Sequence, residues 1–154
     1  MFSDENLKKI EELKKRYPTT KSLTLPVLWM AQKQFGWISP ETMKHVAGLL
    51  DLPESVIFGI VTFYTMFNTK PVGKYHVQIC TNISCYLNGS DELRDHLCQK
   101  LNVKLNQMTS DEKFTISEVE CLGSCGSAPM MQLNDEYVHN LSKDKLDRVL
   151  GELK

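Results

Sequence analysis

The chain has 154 residues, 42% of them hydrophobic and 24% charged, with a formal net charge of −1. That size and mixture fit one ordinary globular domain, or a small domain with an appended helical segment, and exclude global disorder. No concentrated basic stretch offers a footprint for nucleic acid, because Lys8, Lys9, Lys14, Lys15 and Arg16 are interleaved with Glu5, Glu11 and Glu12 as on a solvated helix face.

The opening MFSDENLKKI lacks the basic-then-apolar pattern of a secretory leader. The most apolar stretch, residues 56–67, is too short to span a bilayer and holds Thr62, Tyr64 and Thr65. The expectation is a soluble cytoplasmic chain with no direct membrane insertion, its membrane association coming through partners.

Residues 1–70 contain no cysteine and read as helices. Residues 4–17 place Leu7, Ile10 and Leu13 at helical spacing. The next helix is expected to start at Thr24 as N-cap, with Pro26 in its first turn, and to run through Val27, Leu28, Met30, Ala31 and Phe35 to a stop at Gly36. Ser39-Pro40-Glu41 opens a third helix with a capping hydroxyl, a proline and an acid at the positive dipole end. Pro53-Glu54 opens a fourth, carrying Val56, Ile57, Ile60 and Val61. Four short helices with brief joints make a small bundle, and the polar stretch 68–73, with Pro71 and Gly73, is the linker after it.

Residues 71–154 have a different texture. Residues 74–80 alternate, with Tyr75, Val77 and Ile79 on one face, and read as a strand. Asn88-Gly89-Ser90-Asp91 leads into a helix holding Leu93, Leu97 and Leu101. Residues 114–119 read as a second strand, residues 130–133 and 136–138 as a hairpin about Asn134-Asp135, and Ser142 caps a last helix with Leu146, Val149 and Leu150. The order β-α-β-β-β-α is an α/β arrangement.

Five cysteines in an intracellular chain point to metal binding or redox chemistry rather than structural disulfides, and an odd count would leave one unpaired. Cys80 and Cys85 form a C-x4-C pair after the first predicted strand; Cys121 and Cys125 form a C-x3-C pair after the second. Neighbouring strand ends could bring the four thiolates together. A [2Fe–2S] cluster takes two thiolates on each tetrahedral iron, and thiolate is a soft anionic donor that suits iron–sulfur centres, zinc or cuprous copper. Gly123 and Gly126 allow close backbone approach, so amide N–H groups can point at sulfur. The alternative is a four-cysteine zinc site stabilising an interaction module, although zinc knuckles usually separate their cysteines by two residues.

Cys98, beside Leu97 on a predicted helix, reads as a small buried hydrophobe. His76 lies four residues before Cys80, but His45, His96 and His139 offer no second histidine for a Rieske-type site. Phe63, Tyr64 and Phe67 fit either core packing or a partner contact. Met130 and Met131 follow the second cysteine loop and could shield it from water. The chain holds no P-loop, G-x-G-x-x-G or H-E-x-x-H motif, so no catalytic residue is assigned and no complete active site is expected in this chain alone.

These residues resemble the small [2Fe–2S] subunit family of respiratory complex I, an NADH:quinone oxidoreductase. The likeness rests on Cys80 and Cys85, on Cys121-Leu122-Gly123-Ser124-Cys125-Gly126-Ser127-Ala128-Pro129, and on Gly36-Trp37-Ile38, Leu52-Pro53 and Gly59-Ile60-Val61-Thr62-Phe63-Tyr64 with Phe67 following. It implies an N-terminal helical bundle, 1–70, that docks a partner, followed by a thioredoxin-like [2Fe–2S] ferredoxin domain, 71–154. It implies one [2Fe–2S] cluster on Cys80, Cys85, Cys121 and Cys125. It further implies a heterodimer, within the peripheral arm of the complex, with a larger [4Fe–4S] flavoprotein subunit that carries FMN and the NADH site. The cluster would accept single electrons derived from NADH, on the cytoplasmic face of the inner membrane. Similar modules occur in NAD-linked hydrogenases and formate dehydrogenases, and the ligand motif does not separate these settings.

Overall fold

The structure is a computed structural model that describes residues 1–153. Contacts divide the chain into two compact units, Met1–Pro71 and Val72–Lys154.

The first unit is helical. Helix α1 (Asp4–Arg16) starts where the Ser3 hydroxyl accepts the Asn6 N–H, has Asp4 and Glu5 in its first turn, and ends with Lys14, Lys15 and Arg16. Both charge biases favour the helix dipole. A 3₁₀ turn, Thr20–Leu23, comes next and overturns the expected cap at Thr24. Thr19 caps the turn instead, while Thr24 is already inside α2 (Thr24–Phe35) and turns its hydroxyl back to the Lys21 carbonyl. Gly36, at φ 82°, ends α2 in the left-handed region that glycine tolerates. Ser39 caps α3 (Pro40–Leu50) and Pro40 occupies its first position. Helix α4 (Glu54–Phe63) follows Pro53. Ile10, Leu28, Ile38, Leu50 and Ile57 are fully buried and form the centre of this unit.

One side chain organises the end of the bundle. Gln32 on α2 donates to the Met66 carbonyl (2.7 Å) and accepts the Asn68 N–H (2.6 Å), while the Ile38 N–H donates to the Asn68 carbonyl (2.8 Å). With the chain held this way, Phe67 enters the core, but Phe63 is 77% exposed and Tyr64 38%.

The second unit is a five-stranded sheet with helices. Its elements are β1 (Tyr75–Cys80), α5 (Ile83–Leu87), α6 (Ser90–Leu101), β2 (Gln107–Met108), β3 (Phe114–Val119), β4 (Met131–Leu133), β5 (Glu136–Val138) and α7 (Lys143–Glu152). The strand order is β2-β3-β1-β4-β5. β1 and β3 pair in parallel, with Tyr75 opposite Phe114 and Cys80 opposite Val119, and the other pairings are antiparallel. Sequence periodicity missed α5 and β2, which at five and two residues are too short to show a period. Leu93 and Leu97 of α6 and Leu146 and Leu150 of α7 pack with Val77, Ile79 and Ile116. Strand pleating turns alternate residues to opposite faces, so Cys80 lies on the other face from Val77 and Ile79.

The β4–β5 turn lacks glycine because Asn134 does more than turn the chain. It adopts φ 52°, its N–H donates to the His76 carbonyl (2.9 Å), and its side-chain oxygen accepts the His76 N–H (2.8 Å). A local polar side chain tolerates the left-handed region and here also ties the hairpin to β1.

Gly73 enters β1 against the backbone of β3: a Cβ there would stand 2.8 Å from the Phe114 carbonyl carbon and 2.9 Å from that of Lys113. Its N–H also donates to Thr115 Oγ1 (2.7 Å). Gly73→Ala is therefore expected to destabilise the protein by about 1–3 kcal/mol in urea unfolding, as overpacking does. Gly48→Ala, in open space within α3, is expected to stabilise it by about 0.5–1 kcal/mol.

Candidate metal centre

The parallel pairing of β1 with β3 determines where the cysteines stand. Cys80 is the last residue of β1 and lies opposite Val119, the last residue of β3; Cys121 follows two residues later. The Thr81 N–H donates to the Val119 carbonyl (3.0 Å), extending the contact beyond the strand ends. The two cysteine segments thus leave the sheet side by side.

Cys85 sits on the short helix α5, not on a loop. Asn82 caps that helix through its own side chain, and the Asn88 side chain closes it by donating to the Ser84 carbonyl (2.7 Å). Cys80 and Cys85 are both buried, and their thiols are close enough to influence each other. Met130 spans the pair: its carbonyl accepts the Cys80 N–H (3.2 Å), and its backbone lies close to the Cys85 thiol. The Met130 side chain, 1% exposed, packs with both cysteines beside Val119, Leu122 and Ala128. Burial, and then the Cys80 thiol, push the Cys85 thiol up to about 11, with Cys125 close enough to add to the effect.

Cys121 and Cys125 are exposed. Gly123, at φ 74°, turns its N–H back to the Cys121 sulfur (3.3 Å), as its position in the motif led one to expect. Cys125 opens a 3₁₀ turn, Cys125–Ser127, and the peptide bond between Ala128 and Pro129 is cis. Among the described residues, no three His, Cys, Asp or Glu side chains converge as a group able to hold a single metal ion. The donor set fits a two-iron cluster in its chemistry: two thiol pairs, one buried, the other exposed, with Cys125 near the buried pair and the Gly123 N–H aimed at the Cys121 sulfur.

Cys98 is half-buried among the α6–β3 core residues, away from the thiol cluster, and burial raises its thiol too. His76 Nε2 lies 2.7 Å from Ser117 Oγ on β3. Three polar residues were given no role by their place in the sequence: Ser124, Ser127 and His139, whose Nδ1 is 2.7 Å from Ser127 Oγ and 3.5 Å from Ser124 Oγ. His139 follows β5, and no local spacing marks it as a neighbour of the second cysteine loop.

A parallel strand pair ending in two thiol pairs, within a mixed sheet flanked by helices, defines a thioredoxin-like α/β protein of the iron–sulfur class. Residues 10–154 match the family model for the thioredoxin-like [2Fe-2S] ferredoxin, and the chain belongs to that family. It is 44% identical to an NADH-quinone oxidoreductase subunit of Rickettsia conorii, over 99% of this chain and 93% of the relative. It is 41% identical to an NADH-quinone oxidoreductase subunit of Rhizobium meliloti, over 92% and 84%. A solved NAD+-reducing [NiFe]-hydrogenase in the air-oxidized state shares the fold, with a TM-score of 0.75 and 20% identity, over 85% of this chain and 22% of that one.

The burial difference gives a direct test on the cluster-free protein. At pH 8, Cys121 and Cys125 are expected to alkylate at least about tenfold faster than Cys80 and Cys85, because the thiolate is the nucleophile and access is required. Mass spectrometry of labelled peptides reads the order, and urea should abolish the difference.

Proposed function

We propose that this chain is the electron-transfer subunit of an NADH:quinone oxidoreductase, holding one [2Fe–2S] cluster on Cys80, Cys85, Cys121 and Cys125. The observation that carries the reading is the joint one: thiol pairs at the ends of two adjacent parallel strands, in a chain alike over 99% of its length to a relative that is a subunit of that enzyme. When bound, the cluster takes up and releases one electron at a time. The protein's part is to hold and solvate it unequally. Cys80 and Cys85 anchor one side in an apolar wall with Met130, and Cys121 and Cys125 leave the other side near the surface, where an electron has a short path in or out.

The donor comes from outside, since the chain carries no nucleotide-binding motif. The proposed partner is the larger flavoprotein subunit bearing FMN, NADH and a [4Fe–4S] cluster, and the location is the peripheral arm at the cytoplasmic face of the membrane. No described helix is long and apolar enough to cross a membrane. The helical unit is the proposed docking element. Phe63 and Tyr64, edge to face at 5.1 Å, stand exposed with Phe58 and Met66, and aromatic side chains presented together in this way serve as interface anchors.

Anaerobically purified protein is expected to be brown, with two irons and two sulfides per chain and a reduced S = 1/2 signal, as a [2Fe–2S] centre requires. Cys121→Ser should lose or badly destabilise that signal and Cys98→Ser should keep it; equal iron in both variants would refute the ligand assignment. A colourless protein holding one zinc would instead leave an interaction module.

The double variant Phe63→Glu, Tyr64→Glu should fold normally, since both side chains are exposed, yet lose at least about tenfold in partner affinity by pull-down with the flavoprotein subunit. Unchanged capture would move the docking site elsewhere.

A further inference from the structure

The segment that follows β5 forms a strap across the second cysteine loop. The Asn140 N–H donates to the Ser127 carbonyl (2.8 Å), and the Leu141 N–H donates to the Pro129 carbonyl (2.8 Å). Asn140 takes φ 48° to make the turn. The strap is fixed at its own base, where Lys145 Nζ of α7 donates to the His139 carbonyl (2.6 Å) and Tyr137 packs edge-on against the His139 ring (5.9 Å). Within this frame the His139 ring reaches the hydroxyls of the loop. Ser127 Oγ is 2.7 Å from His139 Nδ1 and 2.9 Å from Ser124 Oγ, and also donates to the Ser124 carbonyl (3.1 Å).

We propose that His139 is a positioning residue for the exposed half of the cluster site, acting through Ser127 and Ser124 to hold the loop that presents Cys121 and Cys125. The inference rests on the reading of these cysteines as cluster ligands. The physical need is clear from the rest of the loop. Cys121 and Cys125 are exposed, so no apolar packing fixes them as Met130 fixes Cys80 and Cys85. Ser124 immediately precedes Cys125, and Ser127 ends its 3₁₀ turn. A ring nitrogen bonded to both hydroxyls brackets Cys125 from its two sides. Partners beyond the ligands orient them and adjust the metal centre, and their loss commonly costs metal retention without removing a ligand.

The relevant atom is Nδ1, one bond from the ring carbon that joins the side chain. An asparagine amide places a polar atom at the same distance along the side chain, whereas phenylalanine keeps the ring and removes the bond. The test uses the full chain loaded with its cluster, in four forms: unsubstituted, His139→Phe, His139→Asn and Ser127→Ala. Three quantities are read: iron loss to a chelator, the EPR signal of the reduced cluster, and its midpoint potential by redox titration.

The expected result is that His139→Phe loses iron about tenfold faster, in line with the loss of a partner beyond the ligands, with a shifted midpoint and altered g values. Ser127→Ala should reproduce these changes from the loop side, the pair of substitutions should do no more than either alone, and His139→Asn should restore both retention and midpoint. If His139→Phe folds poorly, Ser127→Ala and His139→Asn carry the same comparison. A cluster with unchanged retention, signal and midpoint in Ser127→Ala and His139→Phe would overturn the positioning role while leaving the cluster reading intact. Additive losses in the double variant, or failure of asparagine to rescue, would also overturn it. An unsubstituted protein that takes up no iron would remove the cluster reading itself.

Discussion

The parallel pairing of β1 with β3 is the constraint from which the site follows. Parallel strands end together at one edge of the sheet, so residues distant in sequence leave it side by side. Cys80 and Val119 are register partners, and a segment of nearly forty residues containing α5 and α6 separates them in the chain. An antiparallel pairing of the same two strands would place the two cysteine segments at opposite ends of the sheet. The close passage of Gly73 against the backbone of Phe114 secures that register at the other end of the pair. The core beneath it, with Val77, Ile79 and Ile116 against α6 and α7, makes a slip costly, because a shift by one residue would turn these side chains away from the helices.

The two thiol pairs then have different physical lives. Cys80 is at the end of the central strand and Cys85 on a capped helix, and both are buried against Met130. Burial disfavours the Cys85 thiolate and pushes that thiol up in the free protein. Cys121 and Cys125 are on an exposed loop whose order comes from hydrogen bonds: Gly123 to Cys121, Ser127 to Ser124, and the strap of residues 139–141. One half of the site is built by packing and the other by polar contacts.

The sequence disclosed what is local. Capping at Ser39 and Ser142 was legible because a hydroxyl before an amphipathic run has a single-residue cause and a nearby effect. The alternation that marked β1 and the spacing of the cysteines were equally plain. Thr24 misled because a hydroxyl before a helix looks the same whether it caps the helix or lies within it; the preceding 3₁₀ turn, which Thr19 caps, decided the matter. Helix α5 left no periodic trace, so Cys85 looked like a loop residue. His139 could not be recognised at all, since its relation to Ser127 exists only once β5 has folded back beside β4. The split of Phe63, Tyr64 and Phe67 was likewise hidden, because it depends on Gln32, far earlier in the chain, gripping the turn that follows α4.

The exposed half of the thiol site also bears on how an electron carrier of this kind would behave alone and in a complex. Solvent access and the dielectric around the sulfurs are among the quantities that set a cluster's potential. Cys121 and Cys125 face water in the free chain, and α5 beside them presents Ile83, Tyr86 and Leu87 outward. A partner lying over this end would replace water by protein around two of the four proposed ligands while leaving Cys80 and Cys85, already dry, unchanged. A negative charge added to the cluster on reduction is then less well solvated on one side only, which lowers the potential in the complex relative to the free chain unless the partner supplies dipoles or positive charge in place of the water. The asymmetry of burial within a single site thus leaves its potential open to adjustment by whatever covers the exposed half.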